Sequence, residues 1–115
     1  MNKQEVLSKY FGYSTFREGQ EKLIDALLCG KDVMGIMPTG AGKSVCFQVP
    51  ALMMKGVTVV ISPLISLMKD QVNALNQCSV KCAYINASVT SDEKWEIMQQ
   101  AMAGEYKILY TCWWP

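Results

Sequence analysis

The eight residues MPTGAGKS, at positions 37–44, collect groups that bind phosphate. Gly40 and Gly42 give the backbone dihedrals closed to other residues and let a ligand come close to the chain. Lys43 brings an ammonium group, and Ser44 brings a hydroxyl. The apolar stretch KDVMGI precedes them, and the helical pattern VCFQVPALMM follows. A helix N-terminus presents unpaired N–H groups and the positive end of a dipole, which together form an anion site. In that setting Lys43 reaches the outer phosphates of a nucleotide, and Ser44 offers an oxygen to a magnesium ion. This is the mechanism of the P-loop, G-x-x-x-x-G-K-[ST], with Met37 standing where the first glycine would be. An ordinary strand–helix turn that happens to hold glycines is the competing reading. The strand–loop–helix setting favours phosphate.

Such a loop needs rigid elements on both sides, and the hydrophobic pattern supplies them. Val6, Leu7 and Tyr10 share one helical face within residues 3–10, with Gly12 as a stop. Leu23, Ile24, Leu27 and Leu28 repeat at helical spacing within 17–29, before Gly30. VMGIM at 33–37 reads as a buried strand. A helix is predicted from Lys43 to about Met54, with Pro50 kinking it or ending it early. VTVVIS at 57–62 is β-branched and apolar on both faces, which predicts a central strand of a parallel sheet. Residues 64–76 fit an amphipathic helix with Leu64, Leu67, Met68, Val72 and Leu75 inward. KCAYIN at 81–86 and KILYT at 107–111 read as strands. Between them, Thr90 and Glu93 form a T-x-x-E capping box opening a helix to about Ala103. Strand and helix therefore alternate, as in an α/β parallel sheet, and the phosphate loop falls at the sheet's carboxyl edge.

Size and composition narrow the classes. The chain has 115 residues, one small domain's worth, and half of them are hydrophobic (50%). A net charge of +1 leaves nucleic acid neither favoured nor disfavoured. No run approaches the ~20 apolar residues of a membrane span, and MNKQEVLSKYFG lacks the core of a signal peptide. A cytoplasmic protein with no membrane association is the expectation. Cys29, Cys46, Cys78, Cys82 and Cys112 are too irregular for a disulfide framework, and no histidine exists to complete a metal site. They are expected to be buried free thiols, with no disulfide-linked partner. Met34, Met37, Met53, Met54, Met68, Met98 and Met102 lie on apolar faces and are expected to fill the core.

Three further stretches carry polar chemistry. FGYSTFREGQ, 11–20, sets Phe11, Tyr13 and Phe16 near Arg17 and Gln20. A ring to stack on, a guanidinium and a side-chain amide suit a nucleobase; core aromatics at a helix entry are an equal reading. SPLISLMKDQ, 62–71, puts Ser62, Ser66, Lys69 and Gln71 at a strand exit and helix start. Such groups are typical partners of a phosphate backbone, although a solvated helix start explains them as well, and Asp70 beside Lys69 supports that. NASVTSDE, 86–93, is a polar loop where Asn86 and Ser88 could meet a passing nucleic acid; an ordinary loop is the simpler account.

Taken together, FGYSTFREGQ, MPTGAGKS and SPLISLMKDQ resemble the adenine-recognising motif 0, motif I and motif Ia of RecQ-family DNA helicases, a branch of superfamily 2. The resemblance runs from residue 4 to about 110. It implies a P-loop NTPase lobe of RecA-like α/β fold, a parallel sheet flanked by helices, here incomplete, with the whole chain as a partial ATP-binding domain. It implies ATP and Mg²⁺ as cofactors, DNA as partner, and unwinding with 3′-to-5′ polarity. By that analogy Tyr13, Arg17 and Gln20 hold adenine. Thr39, Gly40, Ala41, Gly42, Lys43 and Ser44 hold the phosphates, with Lys43 and Ser44 serving the reaction and the Ser44 hydroxyl meeting magnesium. Ser62, Pro63, Ser66 and Lys69 touch the single-strand backbone. The chain departs from the family after KILY, where TCWWP makes an atypical tail over 111–115, and no D-E-x-H sequence occurs. That acidic motif supplies a magnesium carboxylate and orients the attacking water. A piece without catalytic turnover is therefore expected. The alternatives are a different P-loop NTPase and a non-catalytic nucleotide-binding remnant.

Overall fold

The computed structural model describes residues 1–36, 42–62, 65–86 and 89–111. They form two compact units, Met1–Lys55 and Gly56–Pro115.

The first unit is helical. Helix α1 (Lys3–Val6) is opened by a capping box in which the Asn2 side chain accepts from the Glu5 N–H at 2.8 Å. It runs on as a π-helical turn over Leu7–Phe11 and stops at Gly12, whose φ of 74° is left-handed. Helices α2 (Gln20–Leu28) and α3 (Lys43–Met53) follow. Val6, Leu7, Ile24, Val45 and Val49 close the core, with Phe11 and Phe16 packed against it. Lys3 ties α1 to α2 through Asp25 at 2.7 Å and Glu21 at 2.8 Å, and these two partners, Asp25 foremost, raise its pKa. Pro50 does not end α3 early. It is buried inside the helix, and its carbonyl accepts the closing bond from the Met54 N–H at 2.9 Å.

The second unit is a three-stranded parallel sheet: β1 (Thr58–Ile61), β2 (Cys82–Ile85) and β3 (Ile108–Thr111), in the order β1-β3-β2. Helix α4 (Ile65–Gln77) packs on β2 and β3, and α5 (Ser91–Met102) meets β2. Met68, Val72 and Leu75 form the buried stripe of α4, whereas Leu67 is turned outward. Thr90 caps α5 by accepting from the Glu93 N–H at 3.1 Å, and the Glu93 carboxylate bonds the Thr90 hydroxyl in place of the backbone amide.

The predicted α/β sheet with flanking helices is present, but several expectations change besides that for Leu67. Residues 33–36 make no strand; Met34 and Ile36 are 87% and 92% exposed, since a strand needs a ladder partner and this segment has none among the described residues. The central strand is β3, not β1: Ile108 pairs with both Thr58 and Cys82. Ile108, Leu109 and Tyr110 are buried, while Val59 and Ile61 share an exposed face of an edge strand. Among the methionines, Met68 is buried and Met53 is half-buried, yet Met34, Met54, Met98 and Met102 are exposed. An unbranched thioether is a poor marker of burial because it is tolerated on either side of an apolar face. Met37, Leu64 and the tail 112–115 lie outside the described residues.

No disulfide joins the cysteines among the described residues. Cys46 and Cys82 are buried as expected, but Cys29 and Cys78 are exposed. The Cys82 thiol donates to the Val72 carbonyl at 3.5 Å, and burial pushes its pKa up to about 11. At pH 8 its reactive thiolate is then only about 10⁻³ of the population. Iodoacetamide at that pH should modify Cys29 and Cys78 rapidly and Cys82 only after unfolding, as read by peptide mass spectrometry. Equal labelling of Cys82 and Cys78 in the folded chain contradicts the packing described.

Candidate functional site

The first unit brings the residues of FGYSTFREGQ to the end of the glycine loop. Gln20 is 3% exposed although it carries a primary amide. A buried amide must be hydrogen-bonded, and this one is bonded at both ends. Its Oε1 accepts from the Arg17 backbone N–H at 2.7 Å, and its Nε2 donates to the Gly42 carbonyl at 3.0 Å. The Gln20 N–H in turn donates to the Arg17 carbonyl at 3.1 Å. The side chain therefore pins the start of α2 to the start of α3, 22 residues later. An amide has two N–H donors and two oxygen lone pairs. Among the described residues one of each is used here, and one of each has no further partner. That remaining pair matches the N6–H₂ donor and N7 acceptor of an adenine edge.

A cavity of about 70 Å³ opens beside this amide, lined by Tyr13, Thr15, Arg17, Gln20, Gly42 and Val45. Small-molecule pockets hold roughly 300–1,000 Å³, so this is a notch for one edge of a ligand rather than an enclosure. Tyr13 is 54% exposed at its rim. The open choice between nucleobase contacts and core aromatics is thus divided by residue: Phe11 and Phe16 pack against the core, and Tyr13 does not.

Gly42 is required twice over. Its φ of 76° lies in the left-handed region, and a Cβ at this position would stand 2.5 Å from Gln20 Nε2 and 3.7 Å from Arg17 Cδ. As the N-cap of α3, it offers no side chain to the first-turn amides. Those N–H groups, with the dipole of an 11-residue helix, present a positive end. Lys43 and Ser44 open that same turn, Lys43 exposed and Ser44 half-buried. The cradle without a Cβ, the uncapped helix start and the adjacent ammonium fit a phosphate. The Ser44 hydroxyl is chemically suited to a magnesium ligand. Thr39, Gly40 and Ala41 lie outside the described residues.

The second unit groups the other candidates at the carboxyl edge of the sheet. The Ser62 N–H donates to the Thr111 carbonyl at 3.0 Å, one residue past β1. Ser66 is exposed in the first turn of α4, and Lys69 follows at the (i, i+3) position. The Lys69 ammonium stands 6.0 Å from the centre of the Tyr84 ring. Asn86 is buried just past β2, its carbonyl accepting from the Val89 N–H at 3.2 Å. Pro63 and Ser88 lie outside the described residues. The sequence pattern did not mark Thr15 or Val45 as lining the notch, or Tyr84 as a neighbour of Lys69. The only available signal for Tyr84 was an aromatic placed two residues before the polar strand exit.

Comparison with known proteins follows the same outline. A family model described as DEAD/DEAH box helicase matches residues 17–112. The ATP-dependent DNA helicase RecQ of Pasteurella multocida is 52% identical over 107 residues, covering 93% of this chain and 17% of the relative. The Bacillus subtilis protein of the same name is 48% identical over 108 residues, covering 93% of this chain and 18% of the relative. The chain thus spans less than a fifth of the length of these relatives (17% and 18%). Among solved structures, a hypothetical ATP-dependent RNA helicase from Sulfolobus tokodaii matches with a TM-score of 0.69 at 23% identity, over 97% of this chain and 34% of that one, which supports the fold.

Replacing Gly42 by Ala should lower stability by about 1–3 kcal/mol, from left-handed strain and the displaced Gln20 amide. Replacing Gln20 by Ala should cost about 1–2 kcal/mol, because the part-buried Arg17 N–H and Gly42 carbonyl both lose their side-chain partner. Urea unfolding of the variants measures both. Neutral effects from both changes contradict the bridge.

Proposed function

Because the chain belongs to the DEAD/DEAH box helicase family, we propose that it carries the nucleotide-holding motifs of a RecQ-type helicase, which couples ATP hydrolysis to unwinding of DNA with 3′-to-5′ polarity. Residues 1–115 are read as part of the ATP-binding, RecA-like domain of such an enzyme. The observation that carries the reading is the Gln20 amide, buried and fixed between Arg17 and Gly42, with one donor and one acceptor unpaired among the described residues.

In this reading Tyr13 stacks on the base, Arg17 bounds it and Gln20 meets its edge. Gly42, Lys43 and Ser44, with Thr39, Gly40 and Ala41 before them, hold the phosphates. Magnesium, when bound, neutralises charge between phosphate oxygens, and Ser44 is the residue here that would hold it. Lys43 concentrates positive charge beside the α3 amides, so the chain favours the most highly charged end of the nucleotide. Ser62, Pro63, Ser66 and Lys69 meet the backbone of single-stranded DNA. Support comes from the hydroxyls and the ammonium gathered at the strand exits, and from the RecQ relatives. No helix among the described residues is long and apolar enough to cross a membrane.

Three measurements test the nucleotide reading. The chain should bind ATP more tightly than GTP when Mg²⁺ is present, by fluorescence titration or calorimetry. Lys43→Ala should weaken both nucleotides by at least about tenfold, the loss expected for one charge-assisted contact of 1.5–3 kcal/mol. Tyr13→Ala, at the exposed rim, should weaken ATP by about three- to tenfold through lost stacking. Nucleotide affinity unchanged by Lys43→Ala and indifferent to magnesium overturns the reading.

A further inference from the structure

Tyr84 and Tyr110 are register partners on the adjacent strands β2 and β3. In a parallel ladder, partners in register point to the same side of the sheet. Both meet helix α4. The Tyr110 hydroxyl, on a side chain only 1% exposed, donates to Gln71 Oε1 at 2.7 Å. The Tyr84 ring lies 6.0 Å below the Lys69 ammonium. Lys69 and Gln71 flank the buried stripe of Met68 and Val72 from its two sides, because successive helical residues are set about 100° apart. The two tyrosines therefore meet side chains on opposite flanks of the helix's buried stripe.

From this we infer that Tyr84 is a positioning residue for nucleic-acid binding: its ring holds the Lys69 ammonium at the carboxyl edge of the sheet, aimed for a phosphate of a single strand. The inference rests on the reading of Lys69 as a backbone contact. A free lysine side chain samples many rotamers and loses that freedom when it meets a phosphate. A ring face that attracts the cation removes part of this loss in advance. The ammonium has three N–H donors, and a ring on one side leaves donors for a phosphate on the other. Tyr84 touches no nucleic acid itself in this scheme. Its hydroxyl is not needed, and its ring is.

The experiment measures binding of the 115-residue chain to fluorescein-labelled oligo(dT) by anisotropy, across a sodium chloride series. Lys69→Ala should weaken binding and reduce the salt slope by about 0.7, the value for one single-strand phosphate contact. Tyr84→Val, which suits a strand, should weaken binding about two- to fivefold, and Tyr84→Phe should leave it unchanged. In the Lys69→Ala background, Tyr84→Val should have no further effect. If Lys69→Ala does nothing, the DNA-contact reading fails and takes this inference with it. If Lys69→Ala weakens binding but Tyr84→Val does not, or weakens it equally in both backgrounds, the contact stands and the positioning role is overturned. Should Tyr84→Val fail to fold, the unsubstituted chain decides: a nuclear Overhauser contact between the Lys69 ε-methylene and the Tyr84 ring is expected, and its absence overturns the proposal.

Discussion

The candidate nucleotide site depends on one buried primary amide. Gln20 could not be buried at 3% exposure unless both ends of its side chain were satisfied. The chain meets that demand with two backbone groups, the Arg17 N–H and the Gly42 carbonyl. The result is a fixed relation between the entry to α2 and the entry to α3. Neither end is an ordinary helix cap. Gly19 and Gly42 both sit in left-handed conformations ahead of their helices, without a side chain to accept the first amides. At α2 the Gln20 carboxamide reaches back to Arg17. That bond lies ahead of α2 and caps none of its first amides, so neither helix start carries a side-chain cap; the start of α3 faces a notch lined by Arg17 and Tyr13.

The same arrangement explains why Gly42 admits no side chain. Left-handed φ alone costs a non-glycine residue about 1–2 kcal/mol, which natural proteins tolerate at functional sites. The second restriction is spatial, since the amide nitrogen of Gln20 occupies the place of the Cβ. Gly35 shows a different case: a Cβ there would meet Leu23 Cδ1 at 2.6 Å, a side-chain methyl that can rotate away. At Gly42 the obstructing atom is held by a hydrogen bond to the very carbonyl that the substitution would disturb.

Much of this was readable from residue patterns, and the rest failed for specific reasons. Helices were legible because their signals are local: the 3.6-residue period of Val72 and Leu75, and the Thr90–Glu93 cap. The MPTGAGKS and FGYSTFREGQ segments were legible as chemistry because each needs rare residue types close together. That the two segments meet was not written in either, because the Gln20–Gly42 bond spans 22 residues and leaves no periodic trace. Strand rank was misjudged because composition reports what a strand can bury, whereas neighbours decide what it does bury. Val59 and Ile61 are as β-branched as any residue in the chain, yet they sit on an edge strand. Ile108, with partners on both sides, has no exposure at all.

Magnitudes decide how a phosphate group would be shared between the α3 amides and Lys43. A helix terminus contributes about 0.3–1 kcal/mol toward an exposed anion. A full charge at about 4 Å contributes ~1 kcal/mol in bulk water and ~4 kcal/mol near a protein surface. Lys43 is exposed, so in the absence of ligand it stays well solvated and gives up hydration only when a phosphate replaces it. Its net effect therefore lies nearer the upper figure only if the bound phosphate itself excludes water. The amides differ in kind: their direction is set by the backbone of α3 and costs nothing to arrange at the moment of binding. Affinity in such a site follows the mobile ammonium, and orientation follows the fixed N–H groups. Tyr84 and Lys69 offer the same division at the sheet edge, with a rigid ring to set direction and a flexible cation to supply charge.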